Sequence, residues 1–162
     1  MPLGSKLQSL ENLLKLRAKW TDEGKRVVWT NGCFDLLHVG HVRSLRDAKA
    51  LGDILVVGIN SDASVRSIKG PTRPVVDQDD RAELLSALEP VDCVTIFDET
   101  EPSAILSLVK PDIHCKGAEY ADDKRPVPER AVVEAYGGRV CFLPLHEGRS
   151  TTARLQRAEQ LR

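Results

Sequence analysis

The chain has 162 residues, of which 41% are hydrophobic, and this suffices for one globular domain with a proper core. Its formal net charge of −1 leaves no basic surplus, which disfavours a nucleic-acid-binding platform. No apolar run approaches the ~20 residues of a membrane span, and the scattered cysteines form no Cys-x-x-Cys pair, so we expect a cytoplasmic protein without membrane contacts, disulfides or thiolate metal sites.

Hydrophobic periodicity gives the predicted elements in chain order. A first helix is expected over residues 6–20, where leucines recur at helical spacing, and Asp-Glu-Gly at 22–24 ends it. From residue 26 onwards, short runs rich in Val and Ile alternate with helical runs. The predicted strands cover residues 26–30, 54–60, 93–97, 113–116 and 139–143. The predicted helices that follow them cover residues 41–51, 63–68, 79–88, 102–109, 128–136 and 151–161.

This alternation predicts the fold class. Strands with continuous apolar runs, separated by helices, are typical of a parallel sheet that is covered on both faces. We therefore expect a single α/β domain with a Rossmann-like, doubly wound, five-stranded parallel sheet and helices on both faces. In such a sheet, the ligand crevice lies at the carboxyl ends of the strands.

The segment 30–41 contains the strongest functional signal. It reads Thr-Asn-Gly-Cys-Phe-Asp-Leu-Leu-His-Val-Gly-His and lies between a predicted strand and a predicted helix. Gly32 allows the backbone to turn tightly and to approach a ligand. His38 and His41 face the same side in the first turn of a helix, where free N–H groups and the helix dipole favour an anion. The pattern indicates a phosphate-binding turn; a metal half-site and a pair of solvated histidines are the alternatives.

A second signal lies before the last predicted helix. Residues 147–154 read Glu-Gly-Arg-Ser-Thr-Thr-Ala-Arg, and Ser150, Thr151 and Thr152 open that helix. Such hydroxyls are preferred at an N-cap. Three in a row exceed what a cap requires, so this helix start is a second candidate for binding phosphate oxygens.

Polar residues also follow the other strands. Residues 69–77 form a cationic loop with Lys69 and Arg73, and residues 116–120, Lys-Gly-Ala-Glu-Tyr, end the fourth strand, where ligand loops are expected. Asp35 either orients a histidine, fixes its loop or bonds its own backbone. His114 and His146 lack such a context, and we interpret both as structural or surface residues.

These motifs carry a resemblance to a family. His-Val-Gly-His at 38–41 with Arg-Ser-Thr-Thr at 149–152 resembles the cytidylyltransferase-like nucleotidyltransferases, and the resemblance extends from about residue 26 onwards. We therefore divide the chain into an N-terminal helical extension, 1–25, and a nucleotidyltransferase domain, 26–162. Within the family, residues 30–38, 60–65, 116–120 and 147–152 are similar to the D-glycero-β-D-manno-heptose 1-phosphate adenylyltransferases, in the form that lacks a kinase domain.

Two positions depart from related patterns. Ala118 and Glu119 stand where this group usually has Gly-Asp. Leu145 stands where the glycerol-3-phosphate cytidylyltransferases typically carry arginine, which favours the adenylyl reading. A cytidylyltransferase acting on glycerol 3-phosphate, an inactive nucleotide-binding module and a metal-binding protein stay open as alternatives, and so do the monomer and the homodimer.

The resemblance implies transfer of AMP from ATP to a sugar 1-phosphate. Mg²⁺ is expected with ATP, held by substrate and water and not by protein side chains. The implied catalytic residues are His38, His41 and Lys69. The implied contacts of the acceptor and its phosphate are Asp35, Arg81 and Tyr120. The implied nucleotide-binding residues are Asn31, Gly32, Cys33, Phe34, Gly40, His41, Lys116, Gly117, Glu119, Ser150, Thr151 and Thr152.

Overall fold

The computed structural model describes residues 6–123, 125–146 and 151–161. The strands are β1 Val27–Gly32, β2 Ile54–Asn60, β3 Cys93–Phe97, β4 Ile113–Gly117 and β5 Arg139–Leu143. The helices are α1 Leu10–Asp22, α2 Val39–Lys49, α3 Asp62–Lys69, α4 Gln78–Ser86, α5 Ser103–Val109, α6 Arg130–Ala135 and α7 Thr151–Glu159. A 3₁₀ segment, Ala118–Asp123, follows β4.

The strands form one parallel sheet in the order β3-β2-β1-β4-β5. The central strand β1 pairs with β2 on one side and with β4 on the other, so the direction of winding reverses between β1 and β4. This confirms the predicted doubly wound, five-stranded sheet. The reversal opens a crevice at the carboxyl ends of β1 and β4, the usual ligand position in such folds.

Each face of the sheet carries its own hydrophobic core. Successive side chains of a strand point to opposite faces, and accordingly Val28 belongs to one cluster while its neighbours Val27 and Trp29 belong to the other. Helices α2 and α4 cover the first face with Leu45 and Leu85, both buried. Helices α1, α5 and α6 cover the opposite face with Leu13, Leu106 and Val133.

Some predicted boundaries were wrong, because tertiary pairing extends or replaces local structure. Residues 6–8 are not helical: Gln8 N donates to Val94 O and Val94 N donates to Lys6 O, both at 2.8 Å, so this segment runs along the edge of β3. Strand β1 continues to Gly32 because Asn31 and Gly32 pair with β2. None of the helices in the described ranges is both long enough and apolar enough to cross a membrane.

Candidate active site

Two neighbouring cavities open at the crevice between β1 and β4. The histidine cavity, about 460 Å³, includes His38, His41 and Thr152 in its lining. The lysine cavity, about 420 Å³, includes Lys116 and Glu129. Five residues line both: Thr30, Asn31, Lys69, Gly117 and Glu119. The two cavities therefore meet where the switch point of the sheet lies.

The two histidines of the phosphate-binding motif form the N-terminal cap of α2. Gly40 N donates to His38 Nδ1 at 3.1 Å, and His38 N donates to His41 Nδ1 at 3.2 Å. The rings stack with centroids 3.9 Å apart. The helix consequently begins at Val39, two residues before the predicted start, because the imidazoles take the capping role that Ser or Asp usually has.

This capping fixes the chemistry of the imidazoles. A neutral imidazole that accepts through Nδ1 carries its hydrogen on Nε2, so each ring is a hydrogen-bond donor at Nε2. Burial, reinforced by repulsion from His38 and Lys69, lowers the pKa of His41 to about 4. His41 is therefore a neutral N–H donor at pH 7 and has no positive charge to lose. The described helix start also directs its own dipole towards an anion.

The turn after β1 differs from the prediction in one respect. The left-handed residue is Phe34, with φ 48°, and Gly32 has no positive φ. A Cβ at position 32 would lie 3.2 Å from Phe34 Cε2, so the glycine makes room for this ring. The Phe34 ring in turn lies 5.5 Å from that of His41 and lines the histidine cavity.

Asp35 fixes a loop. Its side chain is buried, and its carboxylate accepts from Val75 N and Val76 N at 2.9 Å and from Arg73 Nε at 2.6 Å. Although burial opposes ionisation, these donors hold the pKa of Asp35 below its usual value. Of the roles left open for Asp35, the structure shows the fixing of residues 69–77, and the predicted contact with the acceptor is not available to a carboxylate so enclosed.

Arg81 is likewise structural, which corrects the predicted contact with the acceptor phosphate. Its side chain is fully buried. The guanidinium donates to Val76 O at 3.0 Å, Asn60 O at 2.8 Å and Asp62 Oδ1 at 2.8 Å, and also to Cys33 O. This buried cation donates four hydrogen bonds to protein oxygens and so ties the ends of β1 and β2 to α3 and α4.

Among the described residues, the lysines that line the crevice are Lys69 and Lys116. Lys69, at the end of α3, lines both cavities. Lys116, predicted to contact the nucleotide, lines only the lysine cavity. Its Nζ lies 4.2 Å from the centroid of the Tyr120 ring, and Tyr120 lines the same cavity. Cys33 lines this cavity too, and burial raises the pKa of its thiol.

The sequence did not predict two residues of this region: Glu129, which lines the lysine cavity, and the buried His114 behind it. Glu129 Oε1 lies 3.0 Å from Lys116 Nζ and 2.9 Å from His114 Nε2. His114, interpreted from the sequence as structural or surface, lies two positions before Lys116 and hence on the same face of β4. That spacing was the available signal; the partner Glu129 follows a 3₁₀ segment that the sequence did not predict.

The second phosphate motif is only partly described. Ser150 lies outside the described residues, and so does the side chain of Thr151. Thr152, in the first turn of α7, lines the histidine cavity together with the exposed Leu145 and with His146. His146, missed as a cavity residue, has Nε2 at 2.9 Å from Asp47 Oδ2.

The chemistry of the crevice suits phosphates. Neutral N–H donors, a helix start and two lysines can bind several anionic oxygens at once. Within the described ranges, no three His, Cys, Asp or Glu side chains are arranged to hold a metal ion.

Comparison with known proteins gives a family match and close relatives. The cytidylyltransferase-like family model matches residues 29–148. The chain is 47% identical over 150 residues to the bifunctional protein HldE of Syntrophotalea carbinolica, and 49% identical over 148 residues to that of Citrifermentans bemidjiense. These matches cover 93% and 91% of the chain, which spans about 30% of the length of each relative.

Two solved structures are similar as well. The lipopolysaccharide core biosynthesis protein from Thermoplasma volcanium has a TM-score of 0.61 and 32% identity, covering 75% of this chain and 97% of that one. The pantoate-beta-alanine ligase from Francisella tularensis has a TM-score of 0.64 over 95% of this chain and 73% of that one. At 12% identity, this second likeness shows the fold alone.

Proposed function

The chain belongs to the cytidylyltransferase-like family and is a nucleotidyltransferase, and from that premise we propose that it transfers AMP from ATP to D-glycero-β-D-manno-heptose 1-phosphate, releasing pyrophosphate. The acceptor is proposed because the motifs at 30–38 and 116–120 resemble the heptose 1-phosphate adenylyltransferases. The identity to the HldE proteins and to a lipopolysaccharide core biosynthesis protein supports the same acceptor.

One observation carries the proposal: two polar cavities meet at Lys69, and only one of them holds the imidazole donors. ATP occupies the histidine cavity, where two helix starts and the imidazoles of His38 and His41 bind its phosphates. The sugar phosphate occupies the lysine cavity. The two phosphates then meet at the shared border, beside Lys69.

The reaction is one displacement at the α-phosphorus of ATP. An oxygen of the acceptor phosphate forms a bond to that phosphorus, and the bond to the β-phosphate oxygen breaks, releasing pyrophosphate. Because the second pKa of a phosphate monoester is about 6, the nucleophile is already ionised at neutral pH. No general base is required, so catalysis rests on positioning and on neutralising charge.

Each group of the site then has a role in this displacement. The Nε2–H groups of His38 and His41 donate to phosphate oxygens on which negative charge accumulates in the transition state. Lys69 offsets the charge that develops between the two substrates. Thr152 and the start of α7 bind the β- and γ-phosphates. Mg²⁺ bound with ATP would supply further neutralisation of the phosphate charge.

Initial rates of pyrophosphate release test the assignment. ATP and CTP are each paired with heptose 1-phosphate, as both anomers, and with glycerol 3-phosphate, at matched Mg²⁺. We expect kcat/KM for ATP with the β-heptose phosphate to exceed that for CTP with glycerol 3-phosphate by roughly 10²-fold, or about 2.7 kcal/mol. Equal rates, or a preference for the cytidine pair, would make the heptose assignment wrong.

A further inference from the structure

A buried polar network stands behind the lysine cavity. One carboxylate oxygen, Glu129 Oε1, bridges His114 Nε2 at 2.9 Å and Lys116 Nζ at 3.0 Å. His114 and Glu129 are 0% and 1% exposed as side chains, whereas Lys116 is 15% exposed and reaches the cavity. The network thus has a buried end, at His114, and an end that faces the cavity, at Lys116.

Packing alone does not account for His114. Its Nδ1 is buried without a hydrogen-bond partner among the described residues, a costly arrangement that an apolar side chain would avoid. Burial lowers the pKa of His114, so the ring is neutral and its single hydrogen lies on Nε2, facing Glu129. The ring therefore serves as a donor to this carboxylate.

Glu129 is ionised in this setting. Burial opposes its ionisation, but the hydrogen bonds from His114, from backbone and from Lys116 lower its pKa to about 2. A lysine on its own loses considerable rotamer freedom when it is held in one place. An anionic oxygen fixed by a rigid ring on the same strand restricts the ammonium before a ligand arrives, which is preorganisation.

The position of the ammonium indicates its ligand. The aromatic ring of Tyr120 packs 4.2 Å from Nζ on one side, and Glu129 holds it from another. The lysine cavity lacks the two histidines of the nucleotide motif, and its lining includes the polar residues Asn60 and Thr100 and the acidic residues Glu101 and Glu119. Such a surface suits a hydroxylated molecule that carries one anionic group.

We propose that Glu129 and His114 are positioning residues that hold the Lys116 ammonium in the lysine cavity, where it binds the phosphate of the acceptor. The inference rests on the proposed function for the identity of that acceptor. Both residues would act through Lys116, because His114 does not line the cavity and the Glu129 side chain, although part of the wall, is only 1% exposed.

Two substitutions of His114 separate positioning from packing. In His114→Leu, the orphan nitrogen is removed but the buried Glu129 also loses a donor, so the two effects on the melting temperature oppose each other. The result that supports positioning is an acceptor KM raised about 10-fold, as for other supporting contacts. His114→Gln restores an N–H donor and is expected to bring the acceptor KM back to within about twofold of the parent. A lower melting temperature with an unchanged acceptor KM would overturn the proposal, and so would an equal rise in the KM for ATP.

Glu129→Gln tests the bridging carboxylate, with Glu134→Gln as the matched control. Glu134 lies on α6, and its side chain is 62% exposed, with its nearest cation, Arg130, at 4.0 Å. We expect Glu129→Gln to raise the acceptor KM about 10-fold and to leave the KM for ATP within about twofold of the parent's. In Glu134→Gln, both KM values are expected to stay within about twofold of the parent's. Should Glu129→Gln fail to fold, the pair of His114 variants decides the question.

A binding measurement keeps this inference distinct from the proposed function. In ¹⁵N-histidine spectra of the full chain without turnover, heptose 1-phosphate is expected to shift the His114 resonances, and ATP those of His38 and His41. If no acceptor turns over, the proposed function fails, and inorganic phosphate becomes the probe. A phosphate-induced shift of His114 that disappears in Lys116→Met supports the inference; no shift, or one that persists in Lys116→Met, overturns it.

Discussion

The two cavities hold their functional groups in opposite ways. In the histidine cavity, His38 and His41 cap the helix that carries them, so the contacts that orient them lie within four residues of the chain. In the lysine cavity, Lys116 is held by Glu129, which is 13 residues further along, beyond a 3₁₀ segment. The orientation of the histidines is therefore local in sequence, whereas that of Lys116 depends on a contact formed only in the folded chain.

This difference between the histidines and Lys116 has a physical cause in how each type of side chain is positioned. A helix start supplies backbone N–H groups at fixed places, and an imidazole that accepts one of them has its other nitrogen fixed as a donor. A flexible lysine has no such local partner and needs a distant carboxylate, which must itself be buried and satisfied. The histidines are therefore oriented by contacts within one short segment, whereas the position of the Lys116 ammonium depends on how α6 packs on the sheet.

The largest expected effect comes from Arg81, which connects parts of the chain that support both cavities. Arg81→Ala leaves Cys33 O, Asn60 O and Asp62 without their donor, so we expect a loss of about 3–5 kcal/mol in the free energy of unfolding. Urea denaturation measures it, with Arg81→Lys as a milder variant that keeps the charge. Full stability of Arg81→Ala together with a raised acceptor KM would instead make Arg81 a ligand of the acceptor.

His41→Ala tests the local site. Removing a preorganised donor to the transition state is expected to lower kcat by roughly 10²-fold or more, equivalent to about 2.7–4 kcal/mol. The lost capping bond costs about 1 kcal/mol of stability. Steady-state kinetics measure the loss of turnover, and a thermal melt measures the loss of stability. Turnover close to that of the parent would remove His41 from the mechanism.

Lys69 lines both cavities, so its replacement is expected to affect both substrates. In Lys69→Met, we expect kcat/KM to fall roughly 30-fold for ATP and for the acceptor alike, since a charge-assisted hydrogen bond contributes about 2 kcal/mol. Lys69→Arg is the matched variant that keeps the charge. A fall confined to one substrate would place Lys69 in that substrate's cavity alone.

Thr152 sharpens the comparison on the side of the nucleotide. Thr152→Ala is expected to weaken ATP binding about fivefold, the loss of one neutral hydrogen bond of about 1 kcal/mol, with the acceptor KM unchanged. Thr152→Ser keeps the hydroxyl and should bind ATP as the parent does. Titration calorimetry with each substrate decides; equal ATP affinity in all three proteins would make the hydroxyl a helix cap and nothing more.

The smallest effect is on the pH dependence of stability. Because the pKa of His41 is lowered from 6.5 to about 4 in the folded state, the unfolded chain binds a proton between these values that the folded chain excludes. The associated stability is present above pH 6.5 and is lost as the pH falls towards 4, by about 1 kcal/mol at pH 5 after allowance for partial exposure.

Urea denaturation at pH 7 and pH 5 measures this change in the free energy of unfolding. His41→Ala should lose less stability than the parent between the two values, because it lacks the excluded proton. Equal losses in both proteins would show that His41 is protonated in the folded state at pH 5.

Features that depend on neighbours along the chain could be predicted from the sequence. Periodicity predicted the strands and helices of a doubly wound sheet, since strand and helix patterns alternate over short distances. The prediction of a phosphate-binding turn rests on the same kind of signal, because the turn, the histidine caps and the start of α2 are all contained in residues 30–41. The family resemblance rested on such segments too.

Which charged residues face the crevice depends on contacts between distant elements and could not be predicted from the sequence. Asp35 and Arg81 were predicted from the sequence to contact the acceptor. In the structure, Asp35 accepts hydrogen bonds from loop N–H groups, and Arg81 donates to carbonyls of distant elements. His114 looked structural, yet it stands behind Lys116 through Glu129. The physical reason is that a buried charge must find partners wherever packing brings them, and those partners have no fixed spacing in the chain.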